Sequence, residues 1–148
     1  HIEQLRREMN ALASTLPEYE VVMGMYGVGK TYGPQLIAEI GDVSRFTHRE
    51  AITAFAGVDP GVEQSGQHNS KSNKASKCGT GRLRKTLFQV MTTLLQNAPE
   101  NEPVYQFLNR KRSEGKPYYV YMTAGANKFL RIYYGKVKAH LRSLEQNE

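Results

Sequence analysis

The sequence lacks several features that would assign it to a large class of proteins. No apolar run reaches the 18 residues that a membrane-spanning helix needs, and no charged segment followed by an apolar one opens the chain as a secretion signal would. The single cysteine, Cys78, has no partner for an internal disulfide, and one cysteine with four scattered histidines shows no zinc-ligand spacing. These absences lead us to expect a protein of the reducing cytoplasm with no metal site in this chain.

The 148 residues suffice for one domain with one hydrophobic core, since 39% are apolar and 23% are charged. Lys and Arg exceed Asp and Glu by a net charge of +6. A basic excess of this size favours a polyanionic partner, with nucleic acid first and an anionic membrane surface second.

An amphipathic helix is predicted over residues 1–17, followed by the main domain over 18–146. Its apolar residues recur at alternating steps of three and four, which is heptad spacing: Ile2, Leu5, Met9, Leu12 and Leu16. The stripe fits a surface helix packed on its own domain. It fits equally well the end of a coiled coil that continues upstream of His1.

Two short helices joined by a tight glycine turn, Gly27-Val28-Gly29, form a helix-hairpin-helix in this prediction, with Pro34 in the first turn of the second helix. Backbone amides at such a turn suit phosphate oxygens, and Lys30 adds a charge, so Gly27, Gly29 and Lys30 are candidate DNA-binding residues. A purely structural turn is the second interpretation. The third is a nucleotide-binding loop, since residues 24–31, GMYGVGKT, match its spacing without the strand that should precede it.

The rest of the chain is predicted to be helical, which makes the fold all-α. A capping box of Thr47 and Glu50 begins a helix that Gly57 ends, and residues 57–79 form a long basic loop. Further helices cover about 80–97, about 102–113, and from Pro117 to about 144, although YYVYM at 118–122 is ambiguous between helix and strand.

A strip of cations runs from the polar segment into the next helix, with six Lys or Arg and no acidic residue between positions 71 and 85. Such a strip suits phosphates, although a solvated loop would have the same composition. The candidate DNA-binding residues here are Lys71, Lys74, Lys77, Arg82, Arg84 and Lys85.

Ser65 stands at the start of this polar segment, in the sequence VEQSGQ. It lacks the G-x-S-x-G context of a hydrolase nucleophile. From residue chemistry alone, a turn serine is the favoured interpretation and a nucleophile the alternative.

Five segments in order resemble the C-terminal transposase domain of the "IS one-ten" insertion-sequence transposases, a family that also contains the Piv/MooV DNA invertases. The resemblance covers about residues 19–138 and is carried by GVGKTYGPQLIAEIGDVSRF, AITAFAGVDPGVEQSG, SKCGTGRLRKTLFQ, YQFLNRKRSEGKP and ANKFLRIYYGKVK. The chain departs from the family pattern at Gly33-Pro34, at Cys78 where an arginine is usual, and at the tyrosines of KPYYVY.

The resemblance implies a function that composition could not. Ser65, in the family's QSG motif, becomes the nucleophile that attacks a DNA phosphodiester and holds the strand as a phosphoserine. A separate RuvC-like domain with four acidic residues would bind Mg²⁺, some members use an element-encoded guide RNA, and a homo-oligomer is expected. The alternative is a non-enzymatic helix-hairpin-helix module that only binds nucleic acid.

Overall fold

The fold is all-helical over the part of the chain that the structure, a computed structural model, describes: residues 1–60 and 70–147, with side chains in 1–60 and 81–147. This confirms the expected fold class. Seven α-helices and one short 3₁₀ turn, Val43–Arg45, occur in the described ranges. The helices are α1 (Ile2–Ala13), α2 (Tyr19–Met23), α3 (Gly29–Ile40), α4 (Arg49–Ala56), α5 (Ser70–Asn97), α6 (Pro103–Ser113) and α7 (Tyr118–Gln146).

The helices α2 and α3 lie on either side of the glycine turn, and their assignment as a helix-hairpin-helix stays a prediction. Pro34 does not lie in the first turn of α3, because that helix already begins at Gly29. The proline is therefore interior, where it removes one backbone donor. Gly41 ends the helix at a φ of 72°, and the Arg45 guanidinium donates to the last carbonyl of α3, that of Ile40, at 2.7 and 3.1 Å.

The capping box predicted at the start of α4 is wrong. The N-cap residue is His48, not Thr47, and no side chain caps the helix. Glu50 instead accepts from Arg49 at 3.4 Å and lies 3.1 Å from the His48 ring. The predicted stop is confirmed, because Gly57 takes the left-handed conformation with a φ of 69° and a ψ of 34°.

Helices α5 and α6 end at Asn97 and Ser113, as predicted. However, α5 begins ten residues earlier than predicted, at Ser70. The predicted loop over 57–79 is therefore wrong for residues 70–79, whereas 61–69 lie outside the described residues. Glu102 caps α6 by accepting from the amides of Val104 at 2.8 Å and Tyr105 at 3.3 Å. The ambiguous segment 118–122 is helical.

The core lies where α7 crosses α4, α5 and α6. Buried apolar residues line its facing sides, and the largest of them with almost no exposed surface are Leu36, Ile40, Ile52, Leu83, Leu87, Met91, Leu94, Leu108, Met122, Phe129, Leu130 and Tyr133. Three other apolar residues of these helices, Leu95, Phe107 and Ile132, are only partly buried.

The apolar stripe of α1 does not pack on the domain. All five of its residues are exposed, with Leu12 at 72%. The helix is attached by its other side, through buried Ala13 and a hydrogen bond of 2.8 Å from the Tyr19 hydroxyl to Asn10. Pairing of this stripe with a partner helix stays a prediction.

Candidate nucleic-acid interface

The turn between α2 and α3 needs both of its glycines, for different reasons. Gly27 has a φ of 85°, and a Cβ there would lie 3.0 Å from Leu94 Cγ and 3.1 Å from the Val90 carbonyl oxygen. Gly29 has a φ of 60°, and a Cβ there would meet nothing within 4 Å. The absence of a side chain at Gly27 therefore allows the turn to pack closely against α5. At Gly29 it leaves open space next to the start of α3.

The start of α3 presents unpaired backbone donors to this space. The first hydrogen bond of the helix runs from the Tyr32 amide to the Val28 carbonyl at 3.2 Å, and the N-cap residue Val28 provides no side-chain cap. The amides of Gly29, Lys30 and Thr31 precede it and therefore have no acceptor within the helix. The positive end of the helix dipole adds to the exposed Lys30 charge at this point.

A shallow groove of about 330 Å³ lies along the turn. Residues 27–32 form one wall, and Thr93 and Asn97 near the end of α5 form the other. Sequence reasoning missed these two residues. They lie more than sixty positions away from the turn, and nothing in their local sequence signals the contact.

A seam between α3 and α5 leads from this groove to the cation strip. The two helices run antiparallel. Halfway along them, the Thr86 hydroxyl of α5 donates a hydrogen bond to the side-chain oxygen of Gln35 on α3 at 3.5 Å. Arg82 and Thr93 are eleven residues apart and therefore share one face of α5, about 16 Å from each other. The structure thus brings Lys30 and Arg82 to opposite ends of one surface, which we call the α3–α5 seam.

One carboxylate interrupts the positive charge of the seam. Burial raises the pKa of Glu39 above its ordinary value, while the Thr86 hydroxyl and the positive charge of Arg82 oppose part of that rise. Its Oε1 atom is buried and has no hydrogen-bond partner among the described residues. Glu39 therefore offsets part of the Arg82 charge.

The predicted strip does not keep to one face of α5. Arg82 faces α3, whereas the Arg84 guanidinium lies against Gly57, with Nη1 3.4 Å from the position that a Cβ there would take. Lys85 is exposed between these two directions. Lys71, Lys74 and Lys77 lie on the first turns of α5, and their side chains fall outside the described residues.

Ser65 also falls outside the described residues, but the chain just before that segment is firmly held. The Asn127 side chain of α7 donates to the Val58 carbonyl at 3.2 Å and to Asp59 Oδ1 at 3.4 Å. With Arg84 against Gly57, contacts from α5 and α7 fix residues 57–59. The chain is therefore anchored at residues 57–59, just before the segment that carries Ser65.

Two other kinds of site find no support in the described ranges. The segment before GMYGVGKT is helix α2 rather than a strand, so the setting of a nucleotide-binding loop is missing. No group of three His, Cys, Asp or Glu side chains among the described residues comes together as a metal site. No helix in this part of the chain is long and apolar enough to cross a bilayer.

Comparison with known proteins gives the family. Residues 19–106 match the model of the transposase IS116/IS110/IS902 family, a span that contains the glycine turn, Ser65 and the cation strip. The pilin gene-inverting proteins of Moraxella bovis and Moraxella lacunata are each 27% identical over 141 residues, which cover 93% of this chain and 43% of theirs. The chain therefore spans less than half the length of these relatives, and no solved structure matches it. Because the family model covers more than half of the chain, this protein belongs to the transposase IS116/IS110/IS902 family.

Proposed function

We propose that this chain is the DNA-binding and nucleophile-bearing part of a transposase or site-specific recombinase. The observation that carries the proposal is the family match over residues 19–106, a span of sequence that includes the glycine turn, Ser65 and the cation strip. The family implies DNA as the partner, and the relatives are named as proteins that invert a pilin gene.

The α3–α5 seam would hold the DNA backbone. The amides at the start of α3 and Lys30 would take one phosphate at one end of the seam, and Arg82 would take another at the opposite end. Lys71, Lys74, Lys77 and Lys85 would extend this contact along α5, and Arg84 would support it from the α4 side. None of these groups reads a base edge, so we expect binding of duplex DNA without sequence preference from this surface.

Ser65 would be the nucleophile. Its Oγ forms a bond to phosphorus, the bond from phosphorus to one bridging oxygen of the DNA breaks, and the displaced oxygen takes up a proton as the serine hydroxyl loses one. The phosphoserine retains the energy of the broken ester, so that the reverse attack by a DNA hydroxyl rejoins strands without ATP.

The Mg²⁺ that the resemblance implies has no ligand set among the described residues, and no step here is assigned to it. We propose that a separate acidic domain of the longer protein holds it. A homo-oligomer and a guide RNA remain further proposals of the same origin.

A covalent trap tests the nucleophile. The intact protein is incubated with Mg²⁺ and nicked element-end DNA, with any element RNA added, and is run on a denaturing gel beside the variants Ser65→Ala and Ser113→Ala. Ser113 is the matched control, because it is an exposed serine at the far end of α6. We expect a protein–DNA band that Ser65→Ala abolishes and Ser113→Ala retains. A band that survives Ser65→Ala would refute the assignment.

A binding assay tests the seam separately. Lys30→Gln and Arg82→Gln should each weaken duplex binding and reduce the slope of log K against log salt by about 0.9, with Arg142→Gln at the far end of α7 as the charge-matched control. Duplex binding that persists without any covalent adduct in the intact protein would favour the alternative, a module that only binds nucleic acid.

A further inference from the structure

The α6–α7 hairpin carries a charge that the proposed seam does not use. Between positions 103 and 138 the chain has eight Lys or Arg and a single acidic residue, Glu114. Only the first few of these positions belong to the span matched by the family model. Such an imbalance on two packed helices creates a positive field that attracts a polyanion.

Aromatic rings cluster at the end of this hairpin. Tyr118 and Tyr121 meet edge to face with centroids 5.7 Å apart, and Tyr119 packs on Phe88 of α5 at 5.5 Å. The Tyr118 side chain is 56% exposed, and neither Tyr119 nor Phe88 is fully buried. These four residues form what we call the aromatic surface.

Cations border the aromatic surface on two sides. On α5, Lys85 precedes Phe88 by three residues and therefore lies one turn from it on the same side of the helix, so that the two proposed contacts would share this cation. Along α7, Lys128 follows Tyr121 by seven residues on the same face.

The ring of Phe107 on α6 gathers three cations from both helices. Lys128 Nζ lies 5.3 Å from the ring centroid, Arg110 Cζ 5.5 Å and Lys111 Nζ 5.6 Å. Of these three cations, only Lys111 forms an ion pair within the described residues, with Glu114 at 3.6 Å. Arg110 and Lys128 thus lie near one apolar ring with no carboxylate partner among the described residues, which leaves their charge available to a phosphate.

We propose that the aromatic surface and the Phe107 cations bind an unpaired segment of nucleic acid, as a second contact beyond the α3–α5 seam. Exposed rings beside uncompensated cations are the combination that stacks bases while neutralising their phosphates. Duplex DNA would use only the cations, because its bases are already stacked on each other. An acidic protein segment would find positive charge here but would gain nothing from the exposed Tyr118 ring.

The absence of tryptophan from the chain makes a direct test possible, because Tyr118→Trp introduces the single tryptophan. We expect a 20-nucleotide oligothymidylate to quench its emission, whereas Leu12→Trp on exposed α1 should not respond. Tyr118→Ala should weaken oligothymidylate binding about fivefold or more, from the loss of one stacked base. Its affinity for a 20-base-pair duplex should change less than twofold. Parallel titrations with oligouridylate distinguish RNA from DNA as the preferred strand.

Other outcomes would overturn the inference. Unquenched Tyr118→Trp, equal losses of single-strand and duplex affinity in Tyr118→Ala, or competition by polyglutamate as effective as that by the oligonucleotide would each leave no role for stacking. The proposed function fails differently, by loss of duplex binding in wild type or by its persistence unchanged in Lys30→Gln and Arg82→Gln.

Discussion

Substitution of the two turn glycines should have different effects, with the larger loss of stability at Gly27 and a loss of DNA binding at Gly29. Both have positive φ, which costs an L-residue about 1–2 kcal/mol. At Gly29 nothing else opposes a Cβ, so Gly29→Ala should lower the free energy of unfolding by about that amount. At Gly27 the Cβ would also press on Leu94 and the rigid Val90 carbonyl, which adds about 1–3 kcal/mol.

We therefore expect Gly27→Ala to cost about 2–5 kcal/mol in total. Urea titration followed by circular dichroism measures both variants, with the slope m unchanged if only stability has changed. Equal losses at the two positions would refute the role assigned to the Val90 contact.

The effect on DNA binding is tested with a variant that reduces the conformational cost of a positive φ at position 29. Asparagine tolerates positive φ better than alanine does, so Gly29→Asn should recover most of the stability that Gly29→Ala loses. Its side chain nevertheless occupies the space above the amides of Lys30 and Thr31. Duplex affinity should therefore fall about tenfold or more, the loss of one charge-assisted contact. Wild-type affinity in Gly29→Asn would show that no phosphate approaches the turn there.

Three further substitutions test the packing, the titration and the hydrogen bonding of the fold. In α7, Gly125→Ala should destabilise the protein by about 1–3 kcal/mol, because the added Cβ would overlap a buried leucine. Gly135→Ala has open space around the added Cβ and should stabilise the protein by up to about 1 kcal/mol. Thermal unfolding of the two variants measures the sign of each change. Glu39→Gln should stabilise the protein at neutral pH and lose that effect in acid, because a raised folded-state pKa favours folding only while Glu39 is protonated. Tyr134→Phe should cost about 1–3 kcal/mol in urea titration, since it orphans the Phe46 carbonyl that the hydroxyl reaches at 3.0 Å.

Each of these three has a result that would contradict it. Destabilisation by Gly135→Ala equal to that by Gly125→Ala would remove the steric explanation. A Glu39→Gln stability profile parallel to wild type from pH 4 to 8 would mean that the carboxylate titrates as it does in the unfolded chain. Unchanged stability in Tyr134→Phe would mean that water replaces the hydroxyl at the Phe46 carbonyl.

Periodicity and stop signals predicted most of the fold. The ends at Gly41 and Gly57 follow from local chemistry, because both residues take a positive φ that other residues resist. The start of α5 was missed because its first ten residues are polar and include Gly79 near their end, a composition typical of loops. The preference of these residues for a loop is weak. It is outweighed by the extension of a helix that is already packed into the core from Leu83 onward.

The candidate site was predictable only in its local parts. Gly27, Gly29 and Lys30 are neighbours in sequence, so turn chemistry reveals them. The second wall of the groove, Thr93 and Asn97, comes from tertiary packing and has no local signal. The opposition of Glu39 to Arg82 likewise depends on how α3 lies on α5. The sequence therefore predicts which charged residues are candidates for binding, but it does not predict which of them face a ligand.

The geometry of α5 separates the two proposed contacts. Arg82 and Phe88 are six residues apart, which turns them about 120° from each other around the helix. A duplex on the α3–α5 seam would therefore approach α5 from a different side than an unpaired strand on the aromatic surface. Buried Leu83 and Leu87 occupy a third direction and fix α5 to the core, so neither contact needs the helix to move. In these two proposals one rigid helix would contact paired and unpaired nucleic acid at the same time, which the proposed breaking and rejoining of strands would require.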